Sequence, residues 1–73
     1  MEKLKIVINE NEDIAEKAKN YFKEMGYHIS VHNRNNCYGW SLGDGLGDYY
    51  VNKLSFDKDP AREVTIDQLR DMV

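Results

Sequence analysis

Apolar and polar positions repeat with two different periods along the chain, and the changes of period mark its elements. Residues 4–9 hold a β-branched centre, Ile6-Val7-Ile8, and predict a strand. Asn9 or Asn11 then stands at a capping position ahead of Glu12 and Asp13, acids that suit the positive end of a helix dipole. From there Ile14, Ala18, Tyr21, Phe22 and Met25 recur at helical spacing, while Glu12, Glu16, Lys17, Lys19, Asn20, Lys23 and Glu24 fill the other side. One face of this helix is therefore a core face. Gly26 falls where a left-handed residue would end it. Beyond it the period drops to two: Tyr27, Ile29 and Val31 alternate with His28, Ser30 and His32, a half-buried strand that completes a β-α-β opening.

Asn33-Arg34-Asn35-Asn36 is turn-prone, and residues 37–42 then predict a third strand. Residues 49–56 read as a longer strand, with Tyr50, Leu54 and Phe56 on one face and Tyr49 and Val51 on the other. Asp57-Lys58-Asp59-Pro60 breaks it, because proline cannot donate to a ladder, and the chain turns before Glu63-Val64-Thr65. Thr65-Ile66-Asp67-Gln68 has the spacing of a capping box, so a short last helix should bury Ile66, Leu69 and Met72. The expected class is α+β: one small β-α-β-β-β-α domain over residues 1–73, a mostly antiparallel sheet with one main helix packed on one face.

Residues 38–50 depart from all this patterning. They hold four of the five glycines, the single tryptophan and three of the five tyrosines. Glycines at alternate positions admit positive φ and leave N–H groups uncovered, and flanking aromatics offer area for stacking or burial. The expected binding residues are accordingly Tyr38, Trp40, Gly43, Asp44, Gly45, Gly47, Asp48, Tyr49 and Tyr50, with Arg34 beside them. Two readings stay open: a backbone nest for an anion or phosphate, or a plain hairpin loop. Trp40 is likewise either the centre of a small core or part of an aromatic platform at an interface.

A net charge of −3, from 13 acids and 10 bases interspersed along the chain, supplies no basic footprint for direct nucleic-acid binding. Cys37 is the single cysteine, which excludes an internal disulfide framework and a thiolate zinc site and suits a cytosolic setting. The apolar run near the amino terminus is too brief for a signal-peptide core or a membrane span. A domain of 73 residues buries a modest fraction of its surface, so a homo-oligomer is expected to add stability.

Individual candidates for chemistry weaken on inspection. His28 and His32 on a strand lie roughly 13 Å apart, too far to share an ion. Asp44 and Asp48 lack the register of a calcium loop, and the glycines fit neither a P-loop nor a dinucleotide fingerprint. Cys37 would need a base within reach to act as a nucleophile, and no spacing supplies one; a half-buried structural thiol is the plainer reading. No metal, cofactor or enzymatic activity is expected.

The helix closing in Tyr-Phe-Lys-Glu-Met-Gly-Tyr, the aromatic middle and the ending Arg-Glu-Val-Thr-Ile-Asp-Gln-Leu-Arg-Asp-Met give most of the chain a further feature. Together with the first strand they resemble a loose class of short phage-encoded accessory proteins. Where many of these place a tryptophan soon after Gly-Tyr, this chain has His28-Ile29-Ser30 and carries Trp40 later. The resemblance transfers no functional residue. It implies a protein made during infection that acts in the host cytoplasm by binding a host component: an anti-defence or anti-CRISPR-like inhibitor of a host enzyme or defence protein. The alternative it leaves is an oligomeric sponge that sequesters a nucleotide signal, with Arg34 and Lys53 neutralising phosphate.

Overall fold

The computed structural model describes residues 1–29, 35–45 and 47–73. Along these the order is β1 (Leu4–Val7), α1 (Glu12–Glu24), β2 (Gly39–Leu42), β3 (Asp48–Tyr50), α2 (Lys53–Lys58), β4 (Arg62–Val64) and α3 (Ile66–Met72). The strands form one sheet in the order β3-β2-β1-β4. β2 runs antiparallel to both β1 and β3, and β4 lies parallel to β1. The class is α+β with a mostly antiparallel sheet.

The junction into α1 follows from local chemistry. Asn9 and Glu10 take positive φ, 50° and 59°, and the Asn11 N–H donates to the Ile8 carbonyl at 3.0 Å, which makes a type I′ turn. The cap is Asn11, whose side chain accepts from the Ile14 N–H; Asn9, the other capping candidate, is used in the turn. The same turn is clamped to the chain before β2, because the N–H groups of Ile8 and Asn9 reach the Tyr38 carbonyl and that of Glu10 reaches the Cys37 carbonyl.

At its other end α1 closes in a Schellman motif. The Tyr27 N–H donates to the Phe22 carbonyl, the Gly26 N–H to that of Lys23, and Gly26 supplies the required φ of +89°. The hydrophobic contact that accompanies this motif is present too, the Phe22 and Tyr27 rings meeting edge to face at 5.1 Å.

One face of the sheet presents Leu4, Ile6, Trp40, Leu42 and Val64 to Ala15, Ala18 and Phe22 of α1 and to Leu69 of α3, forming the main core. Ile14, Tyr21, Met25 and Ile66 pack around it, whereas Met72 stays 40 % exposed at the frayed end of α3 instead of joining the core. Thr65 and Gln68 form the reciprocal capping box that their spacing predicts.

Two strand expectations are corrected. The run 49–56 is not one strand: β3 ends at Tyr50, and α2 begins at Lys53. Asn52 caps that helix through a bond from the Ser55 N–H, and Lys53 pairs with Asp57 one turn on, so local capping overrides the period-two pattern. The helix covers the second face of the sheet, a layer that the predicted order lacks. Residues 27–29 carry no strand, and the rest of that predicted strand lies outside the described residues. The return to the sheet is made by β2 instead.

Candidate functional site

Four of the expected binding residues, Trp40, Asp48, Tyr49 and Tyr50, lie on β2 and β3, and they divide sharply by face. Residues opposite one another on adjacent strands share a face, so Trp40 and Tyr49 point one way and Gly39, Ser41, Asp48 and Tyr50 the other. Trp40 is 0 % exposed within the main core. The platform reading of Trp40 is thereby corrected: its indole is consumed by packing against the helices and is not presented at a surface.

Tyr49, at the open edge of the sheet, is 45 % exposed. Just beyond β3, Val51 and Leu54 are 74 % and 68 % exposed, large values for aliphatic side chains. Val51 also lines a groove of about 230 Å³ with Asn9, Glu10, Asn36, Cys37 and Tyr38. Tyr38 is half-buried, its ring edge-on to Phe56 at 5.2 Å. Away from the chain ends, the exposed large apolar side chains among the described residues are Tyr49, Val51 and Leu54; neither of the last two was singled out from sequence, because both were read as part of one strand.

Of the two readings of the glycine loop, the nest finds no support at Gly43 or Gly45. Neither Gly43 nor Gly45 takes positive φ, and a Cβ at Gly45 would meet nothing within 4 Å. Gly43 sits against the Lys3 side chain, and Gly47 is partly exposed at the start of β3. Asp44 is exposed and pairs with the terminal ammonium at 2.6 Å, while Asp48 lies 3.9 Å from the Lys3 ammonium. Lys53 is committed to Asp57. Arg34 and His32 lie outside the described residues, as does Leu46 within the loop; His28 is exposed. Cys37 is buried, with its thiol 3.8 Å from the Gly39 carbonyl.

Beneath α2 lies a polar cluster that sequence reading missed. Lys5, buried on β1, donates from Nζ to the carbonyls of Phe56 and Asp59, both at 2.8 Å, and lies 4.6 Å from the Phe56 ring centroid. The ammonium thus caps the C-terminal end of α2. The Asp59 side chain is only 2 % exposed. It accepts from the Tyr50 hydroxyl at Oδ2 and from the Ala61 N–H at Oδ1, and Lys3 Nζ stands 3.6 Å away.

Burial pushes the Asp59 carboxyl up, but the bonds from Tyr50 and Ala61, the Ser41 hydroxyl and the Lys3 charge outweigh it and hold the group below its ordinary value. The same hydrogen bond, reinforced by burial and nearby acids, pushes the Tyr50 phenol up to about 12. Ser41 Oγ is buried beside this cluster without a hydrogen bond of ordinary geometry. The only sequence signal for the cluster is a lysine between two core residues of β1.

A groove of about 460 Å³ against α1 is lined by Glu12, Asp13, Glu16, Lys19, Asn35 and Trp40, among others, and Lys19 pairs with Glu16 at 3.6 Å. Three acids against one paired base make it hostile to an anion. Among the described residues no three His, Cys, Asp or Glu side chains converge as metal ligands, and no helix is long and apolar enough to cross a membrane. Compared with protein-family models, curated proteins and solved structures, the chain returns no match.

Proposed function

We propose that this chain is a non-enzymatic protein-binding module that presents Tyr49, Val51 and Leu54 to a folded partner. The observation that carries the reading is their exposure, 45 %, 74 % and 68 %, within six residues that run from an edge strand into α2. Aromatic and aliphatic anchors at an edge are the parts from which interface centres are made, and the small groove beside Val51 offers room for a partner side chain. In the phage setting that the sequence resembles, the partner is a host enzyme or defence component in the host cytoplasm, which binding inhibits.

The non-enzymatic part draws on the burial of Cys37, whose thiol faces a backbone carbonyl. The sponge alternative has less to draw on: Tyr49 offers a ring for stacking, but Trp40 is buried, Lys53 is paired, and Gly43 and Gly45 form no left-handed cradle.

The test is calorimetric binding to a partner first captured from host lysate and then purified. Val51→Asp and Leu54→Asp should each weaken binding by tenfold or more at unchanged melting temperature, while Val73→Asp, at an exposed site remote in sequence, should bind as the parent does. Unaltered affinity in both patch variants would remove this surface from consideration.

A further inference from the structure

Asp59 ends a six-residue helix, a place where a carboxylate ordinarily faces water, yet its side chain is 2 % exposed. The groups that receive it come from another part of the fold. Tyr50 donates its hydroxyl from β3, Ser41 holds a buried hydroxyl on β2 without a hydrogen bond of ordinary geometry, and Lys3 approaches to 3.6 Å from the residue before β1. Lys3 is shared with Asp48 at 3.9 Å, and Lys5 adds a buried ammonium whose bonds go to the backbone carbonyls of Phe56 and Asp59. Apart from the Ala61 N–H, which closes an Asx turn over Pro60, the donors come from the sheet and from the residue before it. The acceptor is brought to them by α2, in which Phe56 is the one buried side chain.

We infer that Tyr50, Ser41 and Lys3 build a carboxylate-binding socket on the second face of the sheet, that Asp59 fills it in cis, and that a carboxylate from outside the chain can occupy it when Asp59 is removed. Three features favour this over an ordinary structural ion pair. The donors converge from β2, β3 and the residue before β1, whereas the acceptor comes from the end of α2. The charge-assisted bond from the Tyr50 phenol and the Lys3 charge 3.6 Å away both suit an oxyanion. Finally, the buried Ser41 hydroxyl acts on the Asp59 carboxyl without a hydrogen bond of ordinary geometry, so a ligand free to settle into place can improve a contact that the tethered side chain leaves imperfect.

The experiment is chemical rescue. Asp59→Ala leaves the donors facing a hole of about the size of a carboxylate, and its melting temperature is followed against sodium acetate and against sodium chloride of equal ionic strength. At several times its dissociation constant acetate should raise the midpoint by about 4–8 °C over chloride. The parent protein, with its socket filled, and Asp59→Asn, with the same space filled by an amide, should show no such excess. If Asp59→Ala does not fold alone, the same comparison is read as recovery of circular dichroism by acetate over chloride, so an unfolded variant still decides the matter. A capped Asp-Pro-Ala peptide forms a second arm: rescue by acetate alone assigns the socket to small free acids, and rescue by both extends it to an acidic side chain on a partner. Equal responses to acetate and chloride, or an equal acetate effect in all three proteins, would overturn the inference.

Discussion

Gly39 lies directly under the ring of Phe56: a Cβ on it would stand 2.6 Å from two ring carbons and 2.7 Å from the Ile6 carbonyl oxygen. Backbone and aromatic ring approach so closely here because α2 has a single buried anchor and must seat it on a strand with no side chain in the way. Gly39→Ala therefore overpacks the second face and should cost about 1–3 kcal/mol in denaturant unfolding. Gly45→Ala is the contrast, since the new methyl meets nothing and φ is not left-handed; it should be neutral or stabilising by about 0.4–1 kcal/mol. Equal effects at the two positions would mean that the ring is not held against β2.

Trp40 and Tyr49 face each other across β2 and β3, but they do opposite work. Removing the fully buried indole by Trp40→Ala opens a large cavity and should cost about 3–5 kcal/mol, much of the stability of a domain this size. Tyr49→Ala, at the exposed edge, should stay within about 0.5 kcal/mol of the parent. Thermal melts of the two variants check this directly. Any loss of binding in Trp40→Ala is then a folding defect, and only Tyr49, Val51 and Leu54 serve as probes of contact.

The contrast shows what the sequence made legible and what it did not. The stripe of α1, the Gly26 end and the Thr65–Gln68 box are local codes, and all three stand in the structure. The run 49–56 misled because Tyr49, Tyr50 and Val51 have strand propensity and exposure is invisible to periodicity, while the decisive signal was the short polar Asn52 in front of a helical turn. Two residues of the glycine-aromatic segment serve packing: Gly39 makes room for Phe56, and Trp40 fills the core. The Lys5–Asp59 cluster joins residues more than fifty positions apart, and no local pattern encodes such a meeting.

Helix ends offer a third measurement. Thr65 and Gln68 satisfy each other's backbone N–H groups at 2.9 and 3.1 Å, and the helix they start is only seven residues long, with Leu69 its one fully buried anchor. A helix of that length has little intrinsic stability, so its cap carries an unusual share. Thr65→Ala should lower stability by about 0.5–2 kcal/mol, and Thr65→Ser should restore most of it. Urea unfolding of the pair separates the hydroxyl's contribution from that of the methyl group.

The hydrogen bond from Tyr50 to Asp59 sets a pH window with two edges. Asp59 is held below its ordinary value of 3.8, so the folded protein gives up this proton more readily than the unfolded chain. Its contribution to stability is complete above that value and is lost as the pH falls through the lower, folded one. Tyr50 is held at about 12 against an ordinary 10.0, so the folded state keeps the phenolic proton. That contribution is complete below pH 10.0 and fades as the pH rises towards 12. Tyr50→Phe removes the shared bond while keeping the ring beside Phe56, so the Asp59 carboxyl should titrate at higher pH and acid unfolding should begin earlier. Carbon NMR titration of the Asp59 side chain in the two proteins measures the first effect, and an unchanged midpoint would show that burial and Lys3, not the phenol, govern this carboxylate.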